Sequence, residues 1–454
     1  MSEKTIAAIA TPAGEGSIGV IRISGDDALA VAAACFTPFS GETLETFCGY
    51  RAAYGNVTEG DGTVIDDAVA LVFRAPKSYT GEDVVEISVH GGRMVLRRVL
   101  RRVLECGATT AAAGEFTKRA FLNGKLDLAK AESVMELISA KNEAALKISR
   151  GARDGKLSRG VADITDKLLE TAASLAVFAD YPDEELEGLS HDSFLALLGE
   201  CREKTSRLLE SYDAGRVVRE GIDCAIVGKP NVGKSSLMNM LCGSERSIVT
   251  DIAGTTRDII ENTVTLGDVT LNLADTAGIR ETADTVERVG VERANQKIEN
   301  AGLILAVFDA SSPLDNDDRN LLESLKPKRA IAILNKTDLP TALTPEVLSP
   351  LNVVEISAKE GTGIDLLTKE IERICDIARL AAGDAVLISE RQYDCARRAL
   401  EAIVEAESAL SGGVTLDAVS VCIDDAIAAL LELTGKRVTN EVADEVFKRF
   451  CVGK

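Results

Sequence analysis

The first 118 residues alternate short apolar runs with clusters of turn-forming residues. Residues 18–23, 68–73 and 84–89 have the length and composition of strands, and residues 80–83 (Thr-Gly-Glu-Asp) are typical of a turn. Residues 92–105 carry apolar positions at helical spacing. This mixture predicts an N-terminal α+β domain over residues 1–118.

Helical periodicity dominates the next part of the chain. From about residue 126 to residue 216 turn signals become rare and apolar residues recur at helical spacing, as at Ala129, Val134, Leu137 and Ile138. An acidic turn at residues 181–185 interrupts this pattern, and the chain becomes helical again after residue 380. We therefore predict one helical bundle domain in two parts, residues 119–216 and residues 379–454.

Residues 222–376 follow a third pattern. Apolar runs of strand length at 222–227, 269–273, 303–308, 330–334 and 353–356 alternate with helical patterns. Such alternation predicts a mostly parallel sheet with helices on both faces. We expect a multidomain α/β protein, in which an α/β domain at residues 217–378 is inserted between the two helical parts.

Composition and cysteine spacing narrow the class of protein. The 454 residues are 46% hydrophobic and 27% charged, which excludes disorder as the main state. No apolar run approaches the roughly 18 residues that span a bilayer, and the N-terminus lacks a signal-peptide pattern. We expect a cytoplasmic protein without a membrane partner. The two histidines and ten scattered cysteines give no motif for a zinc or histidine-ligated metal centre.

The charge of the chain limits how it can bind nucleic acid. Its net charge of −21 argues against indiscriminate binding, so any RNA contact must be local. One basic stripe comprises Lys147, Arg150, Arg153, Lys156 and Arg159, which recur every three positions along a helical pattern. A second basic cluster comprises Arg93, Arg97, Arg98, Arg101 and Arg102. The stripe is either a solvated helix face or an RNA-facing surface.

Residues 228–235 (Gly-Lys-Pro-Asn-Val-Gly-Lys-Ser) have the sequence pattern of a phosphate-binding loop. They match G-x-x-x-x-G-K-[ST] directly after a predicted strand and before a helical run, which is the context the motif requires. The glycines allow backbone N–H groups to surround phosphates, Lys234 reaches the β and γ phosphates, and the Ser235 hydroxyl binds Mg²⁺. This region predicts a P-loop (Ras-like) G domain.

Companion motifs follow in the order expected of a GTPase. Residues 275–278 (Asp-Thr-Ala-Gly) end a strand, Thr256 lies in a loop as a second Mg²⁺ ligand, and residues 335–338 (Asn-Lys-Thr-Asp) end another strand. Asp338 can accept from guanine N1–H and the 2-amino group together, a donor pair that adenine lacks. The predicted GTP-binding residues are Asn231, Val232, Gly233, Lys234, Ser235, Ser236, Thr250, Asp251, Ile252, Ala253, Gly254, Thr255, Thr256, Asp275, Thr276, Ala277, Gly278, Asn335, Lys336, Asp338, Ser357, Ala358 and Lys359.

The position after the Asp-Thr-Ala-Gly motif departs from many GTPases. A water-positioning glutamine often stands there, but this chain has Ile279, which has no polar atom to orient water. Another group must therefore support hydrolysis. The nearby polar candidates are Arg280, Glu281, Asp284, Glu287 and Arg288. A carboxylate among them could orient water, or the segment could simply be a solvated acidic helix start.

Motifs outside the G domain give the chain a family resemblance. They are residues 11–12 (Thr-Pro), 19–25 (Gly-Val-Ile-Arg-Ile-Ser-Gly), 79–83 (Tyr-Thr-Gly-Glu-Asp), 90–92 (His-Gly-Gly), 114–128 (Gly-Glu-Phe-Thr-Lys-Arg-Ala-Phe-Leu-Asn-Gly-Lys-Leu-Asp-Leu) and 450–454 (Phe-Cys-Val-Gly-Lys). Together with the G motifs, they make the whole chain resemble the bacterial tRNA uridine-modification GTPases, the MnmE (TrmE) family.

The resemblance implies a partner, a reaction and cofactors. Proteins of this family form a homodimer through an N-terminal tetrahydrofolate-binding domain, pair their G domains, and work with MnmG, which carries FAD. The pair adds an aminomethyl or carboxymethylaminomethyl group to C5 of the wobble uridine, position 34, of certain tRNAs. The one-carbon donor is a tetrahydrofolate derivative, 5-formyl- or 5,10-methylene-tetrahydrofolate.

The resemblance also assigns roles to individual residues. The family's folate contacts fall on Arg22, Glu82, Lys125 and Lys454. Its K⁺ ligands, which act where other GTPases receive an arginine finger, fall on Asn231, Thr250, Ile252 and Thr255. Its water-orienting glutamate falls on Glu287, so the predicted catalytic residues are Lys234, Glu287 and, in the terminal motif, Cys451.

Two questions stay open at the level of sequence. Cys451 is either a thiolate nucleophile or carrier of a one-carbon unit, with Lys448, Arg449 and Lys454 close in sequence to lower its pKa, or a cysteine without a chemical role. The G motifs also fit a ribosome-assembly or RNA-binding GTPase switch without chemistry of its own, and a folate enzyme regulated by GTP is a third hypothesis. The folate-type N-terminus and the cysteine-containing tail favour the modification enzyme over the pure switch.

Overall fold

The computed structural model describes residues 4–12, 14–180, 190–243, 262–273, 301–375, 377 and 385–454. The chain divides into two compact units. Unit 1 comprises Met1–Met135, Val161–Leu195 and Glu401–Lys454, and unit 2 comprises Glu136–Gly160 and Ala196–Leu400. The acidic turn predicted at residues 181–185 lies outside the described residues.

Unit 1 contains a seven-stranded sheet with the order β3-β4-β5-β6-β2-β1-β7. Its strands are β1 (Ile6–Ile9), β2 (Ile18–Ser24), β3 (Phe36–Pro38), β4 (Arg51–Thr58), β5 (Val64–Phe73), β6 (Val84–His90) and β7 (Thr109–Thr110). All neighbours pair antiparallel except β1 and β7, which are parallel.

Unit 2 contains a six-stranded sheet with the order β13-β12-β11-β8-β10-β9. Its strands are β8 (Ile222–Val227), β9 (Asn262–Leu266), β10 (Val269–Leu273), β11 (Leu303–Asp309), β12 (Ala330–Asn335) and β13 (Asn352–Glu355). Only the β9–β10 pair is antiparallel, so the sheet is mostly parallel as predicted.

Helices occur in both parts of the chain that were predicted to be helical, and two further helices, at residues 28–33 and 115–122, were not predicted. The described helices are α1 (Ala28–Ala33), α2 (Arg93–Glu105), α3 (Glu115–Leu122), α4 (Leu128–Ser139), α5 (Glu143–Arg153), α6 (Lys156–Asp180), α7 (His191–Glu220), α8 (Lys234–Gly243), α9 (Asn316–Leu325), α10 (Ile364–Ile374), α11 (Glu390–Ser411), α12 (Leu416–Thr434) and α13 (Asn440–Lys448). Among the residues described, no helix combines the length and hydropathy needed to cross a membrane.

Alternate residues of β8 face two separate apolar clusters. Cys224 and Ile226 pack in one cluster with Leu237 of α8 and Leu367 of α10. Ala225 and Val227 belong to the other, which includes Leu325 of α9. Helices therefore cover both faces of the sheet, and this double burial explains why its strands read as continuous apolar runs.

The basic stripe of residues 147–159 does not run along one helix. Helix α5 ends at Arg153 and α6 begins at Lys156, with Gly155 between them in the left-handed region at φ +82°. The stripe is thus divided between two helices, contrary to the continuous helical pattern read from the sequence.

Candidate functional site

The loop between β8 and α8 has a backbone that requires glycine at two positions. Gly228 and Gly233 have φ of +142° and +101°, and Asn231 also has a positive φ, +66°. A Cβ on Gly228 would lie 2.4 Å from the Val307 carbonyl oxygen, and one on Gly233 would lie 2.1 Å from the Asn335 Nδ2. The loop therefore follows the neighbouring strands closely and leads straight into α8, as the motif predicts.

Lys234 is the first residue of α8, and its ammonium lies within this loop. Its Nζ donates to the carbonyl oxygens of Gly228 at 2.8 Å and Lys229 at 2.6 Å. Burial lowers the pKa of Lys234 from its ordinary value. A cation that has lost part of its hydration gains more from a phosphate than one in open water. Ser235 and Ser236, which follow it, are exposed.

Asn335 connects the phosphate loop to the predicted base site. Its side chain is buried, its Nδ2 donates to the Val232 carbonyl oxygen at 2.9 Å, and its Oδ1 accepts from the Ala358 backbone N–H at 3.0 Å. One amide thus holds the end of β12, the phosphate loop and the Ser357–Lys359 loop together. The structure brings these three motifs, far apart in sequence, into one place.

Asp338 is held as an oriented hydrogen-bond acceptor. The buried Ser357 hydroxyl donates to Asp338 Oδ1 at 2.7 Å and accepts from the Glu360 N–H at 3.2 Å. The bond from Ser357 lowers the pKa of the Asp338 carboxyl. The carboxylate is therefore ionised near neutral pH, which is the form that accepts two hydrogen bonds from guanine. Ser357 was predicted as a base-site residue, but this role for its hydroxyl was not.

Sequence reasoning missed the acidic partners of two lysines at this site. Lys336 Nζ lies 2.6 Å from Asp309 Oδ2 at the end of β11. Burial alone would raise the pKa of Asp309, but the hydrogen bonds from Lys336 and Ser311 outweigh it and the pKa is lowered. Lys229 contacts Asp315 at 2.6 Å and Asp318 at 2.8 Å. Asp309 was identifiable as a carboxylate ending a strand at the same sheet edge as the motifs.

The remaining predicted residues of the G domain lie outside the described residues. These are Thr250, Asp251, Ile252, Ala253, Gly254, Thr255, Thr256, Asp275, Thr276, Ala277, Gly278 and Glu287. The predicted Mg²⁺ pair and K⁺ set are therefore each described only in part, at Ser235 and at Asn231.

In unit 1, the C-terminal motif packs against the N-terminal sheet and α3. The Cys451 carbonyl oxygen accepts from the Gly114 N–H at 3.3 Å, and the Lys454 carbonyl oxygen accepts from the Phe116 N–H at 3.2 Å. Gly453 has φ +94°, and a Cβ there would lie 2.4 Å from the Ile9 carbonyl oxygen. These contacts fix the backbone of the motif while the Cys451 side chain stays exposed.

Arg22 joins this motif to the sheet. Its Nε donates to Glu86 Oε1 at 2.8 Å and its Nη1 donates to the Gly453 carbonyl oxygen at 3.2 Å. The guanidinium carbon lies 5.6 Å from the centre of the Phe116 ring. The structure therefore brings Arg22 beside the backbone of the terminal motif at Gly453. Glu86, opposite Arg22 in the β2–β6 register, was missed.

Glu82 is bound by residues that the predicted folate set did not include. Its Oε2 accepts from the Ser24 hydroxyl at 2.6 Å, and Arg119 Nη1 lies 3.1 and 3.2 Å from its two oxygens. Lys125 Nζ donates to the Pro76 carbonyl oxygen at 2.9 Å. Arg119 was part of the motif at residues 114–128, yet nothing in its local sequence indicated a partner in the turn before β6.

A cavity of about 380 Å³ lies beside this region of unit 1. Its lining includes Ala113, Arg119 and Leu122 from the α3 segment, and Asp444 and Phe447 from α13. Its volume is within the usual range for a small-molecule site. The cavity shares Arg119 with the Glu82 ion pair, so it adjoins the predicted folate contacts.

Three ligating side chains also cluster on the sheet of unit 1, although no metal motif was predicted. Ligand atoms of Asp66, Asp67 and His90 all lie within 4.8 Å of one another. Asp66 Oδ1 lies 2.9 Å from His90 Nδ1, and Asp67 accepts from the Tyr54 hydroxyl at 2.7 Å. These hydrogen bonds account for the cluster without a metal ion.

We expect His90 to titrate above pH 6.5. The hydrogen bond to Asp66 raises the pKa of His90 above its ordinary value of 6.5 because the carboxylate favours the imidazolium. The pair therefore contributes below pH 6.5 and is lost as the pH rises through the raised pKa. The chain has two histidines, so proton NMR resolves the titration. Asp66→Asn should return the midpoint towards 6.5, and a midpoint below 6.5 would contradict the ion pair.

Comparison with known proteins shows the family of the whole chain. The family model described as the MnmE helical domain matches residues 128–451, and that of the GTP-binding protein TrmE N-terminus matches residues 5–125. The tRNA modification GTPase MnmE of Geobacter sulfurreducens is 42% identical over 456 residues, covering 100% of this chain and 99% of that protein. The chain belongs to the MnmE (TrmE) family. Its counterpart in Symbiobacterium thermophilum is 43% identical over 459 residues, with 100% of both chains covered.

Membership in the MnmE family confirms the resemblance read from the motifs, the predicted fold class and the assignment as a GTPase of that family. Among solved structures, the G domain of the T. maritima FeoB iron transporter is 26% identical with a TM-score of 0.26. That match covers 34% of this chain and 98% of the FeoB chain.

Proposed function

We propose that this chain hydrolyses GTP and, with MnmG, modifies C5 of the wobble uridine of certain tRNAs, adding an aminomethyl or carboxymethylaminomethyl group. The observation that carries the proposal is the bonding of the Asn335 side chain, which contacts the phosphate loop at Val232 and, at Ala358, the loop whose Ser357 holds Asp338. Asp338 supplies guanine selectivity and Lys234 supplies charge at the phosphates. Membership in a family whose curated proteins bear the name tRNA modification GTPase supports the coupling to tRNA.

Two cations belong to the proposed GTP site. Ser235, exposed on the first turn of α8, and Thr256 would hold Mg²⁺. Asn231, exposed and in a left-handed backbone conformation, and Thr250, Ile252 and Thr255 would hold K⁺. Hydroxyl, amide and carbonyl oxygens suit both cations. When bound, they neutralise charge on the β and γ phosphates.

Glu287 is the proposed water-orienting residue, because Ile279 has no polar atom for that task. We expect Glu287→Ala to retain GTP binding and to lower the single-turnover hydrolysis rate about 100-fold or more. Nucleotide binding is measured with a fluorescent GDP analogue, and hydrolysis is measured in K⁺ and in Na⁺ buffers. Glu281→Ala serves as the matched control and should hydrolyse normally. Full turnover in Glu287→Ala would remove that residue from the mechanism.

The proposed folate site lies in unit 1. Arg22, Glu82, Lys125 and Lys454 would bind a tetrahydrofolate derivative, 5-formyl- or 5,10-methylene-tetrahydrofolate, beside the cavity at α3 and α13. The folate would supply the one-carbon unit, and FAD would reside on MnmG. Cys451, exposed in the fixed terminal motif, is the proposed nucleophile. Its role is tested by Cys451→Ser, which should abolish modification while leaving GTP hydrolysis intact.

A homodimer is proposed through the N-terminal domain. Phe39, which directly follows β3, and Tyr54 of β4 have 60% and 56% of their surfaces exposed, and their ring centres lie 5.0 Å apart. Exposed aromatic pairs of this kind are typical of protein interfaces.

We further propose four functional segments. Residues 1–118 serve folate binding and dimerisation, and residues 119–216 and 379–454 form the helical domain. Residues 217–378 form the G domain, which pairs with that of the second copy during hydrolysis.

The decisive test is nucleoside mass spectrometry of bulk tRNA from cells with and without this gene. The proposal predicts that 5-carboxymethylaminomethyl-type uridines disappear without the gene and return with the wild-type gene, but not with Lys234→Ala. If Lys234→Ala restored the modified uridines, the modification would not depend on GTP. If the modified uridines persist without the gene, the chain is instead a GTPase switch, and its association with ribosomal particles becomes the next measurement.

A further inference from the structure

Helix α2 presents arginines on the side that faces away from the core. Leu96, Val99 and Val103 of this helix are buried in the core of unit 1. The arginine face consists of Arg93, Arg97, Arg98, Arg101 and Arg102. Arg93, Arg97 and Arg98 are exposed residues, and the Arg101 side chain is 64% exposed. Burial of the apolar side thus fixes which way the basic side points.

Nearby carboxylates order this face without neutralising it. Glu59 Oε1 lies 2.7 Å from Arg98 and 3.6 Å from Arg101. Arg102 Nε donates to the Thr58 carbonyl oxygen at 3.1 Å, and its Nη1 lies 3.7 Å from Glu105. Within the part of the chain that the structure describes, no carboxylate lies within ion-pair distance of Arg93 or Arg97.

The local charge is opposite to that of the protein. Among the described residues, Glu59 and Glu105 contact the face, and Asp61 lies near it: the pKa of Asp61 is lowered first by hydrogen bonds from Thr63 and to a smaller extent by Arg98. Five arginines against three carboxylates leave a net charge of +2 on a chain of net charge −21. A polyanion would therefore be repelled by most of the surface and attracted here.

We propose that the arginine face binds the phosphate backbone of the tRNA substrate. Arg93, Arg97 and Arg101 recur every four residues, so they follow one side of the helix over about 12 Å. Guanidinium groups bind phosphates through paired hydrogen bonds, and a row of them suits successive phosphates of one strand. The inference rests on the proposed function, because it names where that function's substrate makes contact.

The second basic feature of the sequence is less suited to this role. The stripe from Lys147 to Arg159 is split between α5 and α6, and Arg159 Nη1 donates to the Asp154 carbonyl oxygen at 2.8 Å. It nevertheless supplies a matched control, since Arg150 and Arg153 are exposed and lie three residues apart on one helix. Changing these two removes the same charge as changing Arg93 and Arg97.

The test compares Arg93→Gln/Arg97→Gln with Arg150→Gln/Arg153→Gln in the full chain. The probe is bulk tRNA from a strain that lacks this gene, measured by filter binding at several KCl concentrations. Loss of two phosphate contacts should reduce the salt slope by roughly 1.4 to 1.8 and weaken binding roughly 25- to 60-fold at 0.1 M salt. The control pair should bind like the wild type, and both variants should keep basal GTP hydrolysis.

The outcomes separate this inference from the proposed function. Unchanged tRNA affinity in Arg93→Gln/Arg97→Gln, or an equal loss in the control pair, would overturn the inference, while modified uridines in cells would still support the function. If wild-type protein binds no tRNA and the gene is dispensable for the modification, both fail. Polyglutamate serves as a probe for an acidic protein partner. If Arg93→Gln/Arg97→Gln loses polyglutamate binding but keeps tRNA binding, the arginine face binds such a partner and the inference is wrong.

Discussion

Asp338→Asn is expected to lower kcat/KM for GTP about 1,000-fold. The carboxylate would accept two hydrogen bonds from guanine, and each charge-assisted bond of this kind contributes about 1.5 to 3 kcal/mol. An amide in its place presents an N–H donor to guanine donors, so it both loses attraction and adds repulsion. Xanthine has a carbonyl where guanine has the 2-amino group. We therefore expect XTP hydrolysis by the variant to exceed its GTP hydrolysis, measured by steady-state phosphate release.

Ser357→Ala is the matched control for this prediction. It removes the hydroxyl that donates to Asp338 at 2.7 Å but leaves the carboxylate in place. Loss of orientation alone should cost about 1 kcal/mol, which is roughly a fivefold decrease in kcat/KM for GTP without any gain for XTP. If Asp338→Asn lowered GTP and XTP hydrolysis by the same factor, base recognition by Asp338 would be wrong and general damage to the loop would explain the loss.

The strands of the G domain were the most predictable part of the fold. The predicted runs at 222–227 and 269–273 coincide with β8 and β10 because helices or neighbouring strands bury them on both sides. By contrast, β4 (Arg51–Thr58) was not predicted, since only Gly55 and Val57 of its eight residues are buried. A strand that is mostly exposed lacks the apolar run on which the prediction depends.

The site was predictable wherever a local motif fixes backbone and side chain together. Two such motifs are residues 228–235 and 335–338. Their described members lie together in unit 2. The position of Asp309 at the end of a strand could be read from the sequence, but which acidic and basic residues pair with each other could not. Asp309 is 27 residues from Lys336, and Arg119 is 37 residues from Glu82, with no spacing rule to connect either pair. Such pairs exist only because the sheet order brings distant segments together.

Arg119→Met is expected to destabilise unit 1 by about 3–5 kcal/mol. The Arg119 side chain is 5% exposed, and it binds Glu82, Glu115 and the Lys4 carbonyl oxygen. Removing one partner of a buried ion pair leaves the other charge without compensation, and this costs far more than the pair itself contributes. Hydrogen exchange of peptides covering α3 and β6, followed by mass spectrometry, should show faster exchange, while peptides from β8 and β11 stay unchanged.

Lys118→Met provides the control on the same helix. Lys118 Nζ lies 2.6 Å from Asp444 Oδ1, but the Lys118 side chain is 34% exposed to solvent and the Asp444 side chain is 47% exposed. A pair in that setting contributes little to stability, because water screens its charges. Equal effects of the two substitutions would mean that the Arg119 guanidinium does not hold Glu82 in place.

Because Arg119 already compensates the charge of Glu82, a folate held by Glu82 would add hydrogen bonds to a neutralised carboxylate and would not supply a missing counter-charge. Arg119→Met should therefore lower the stability of unit 1 with and without a bound tetrahydrofolate.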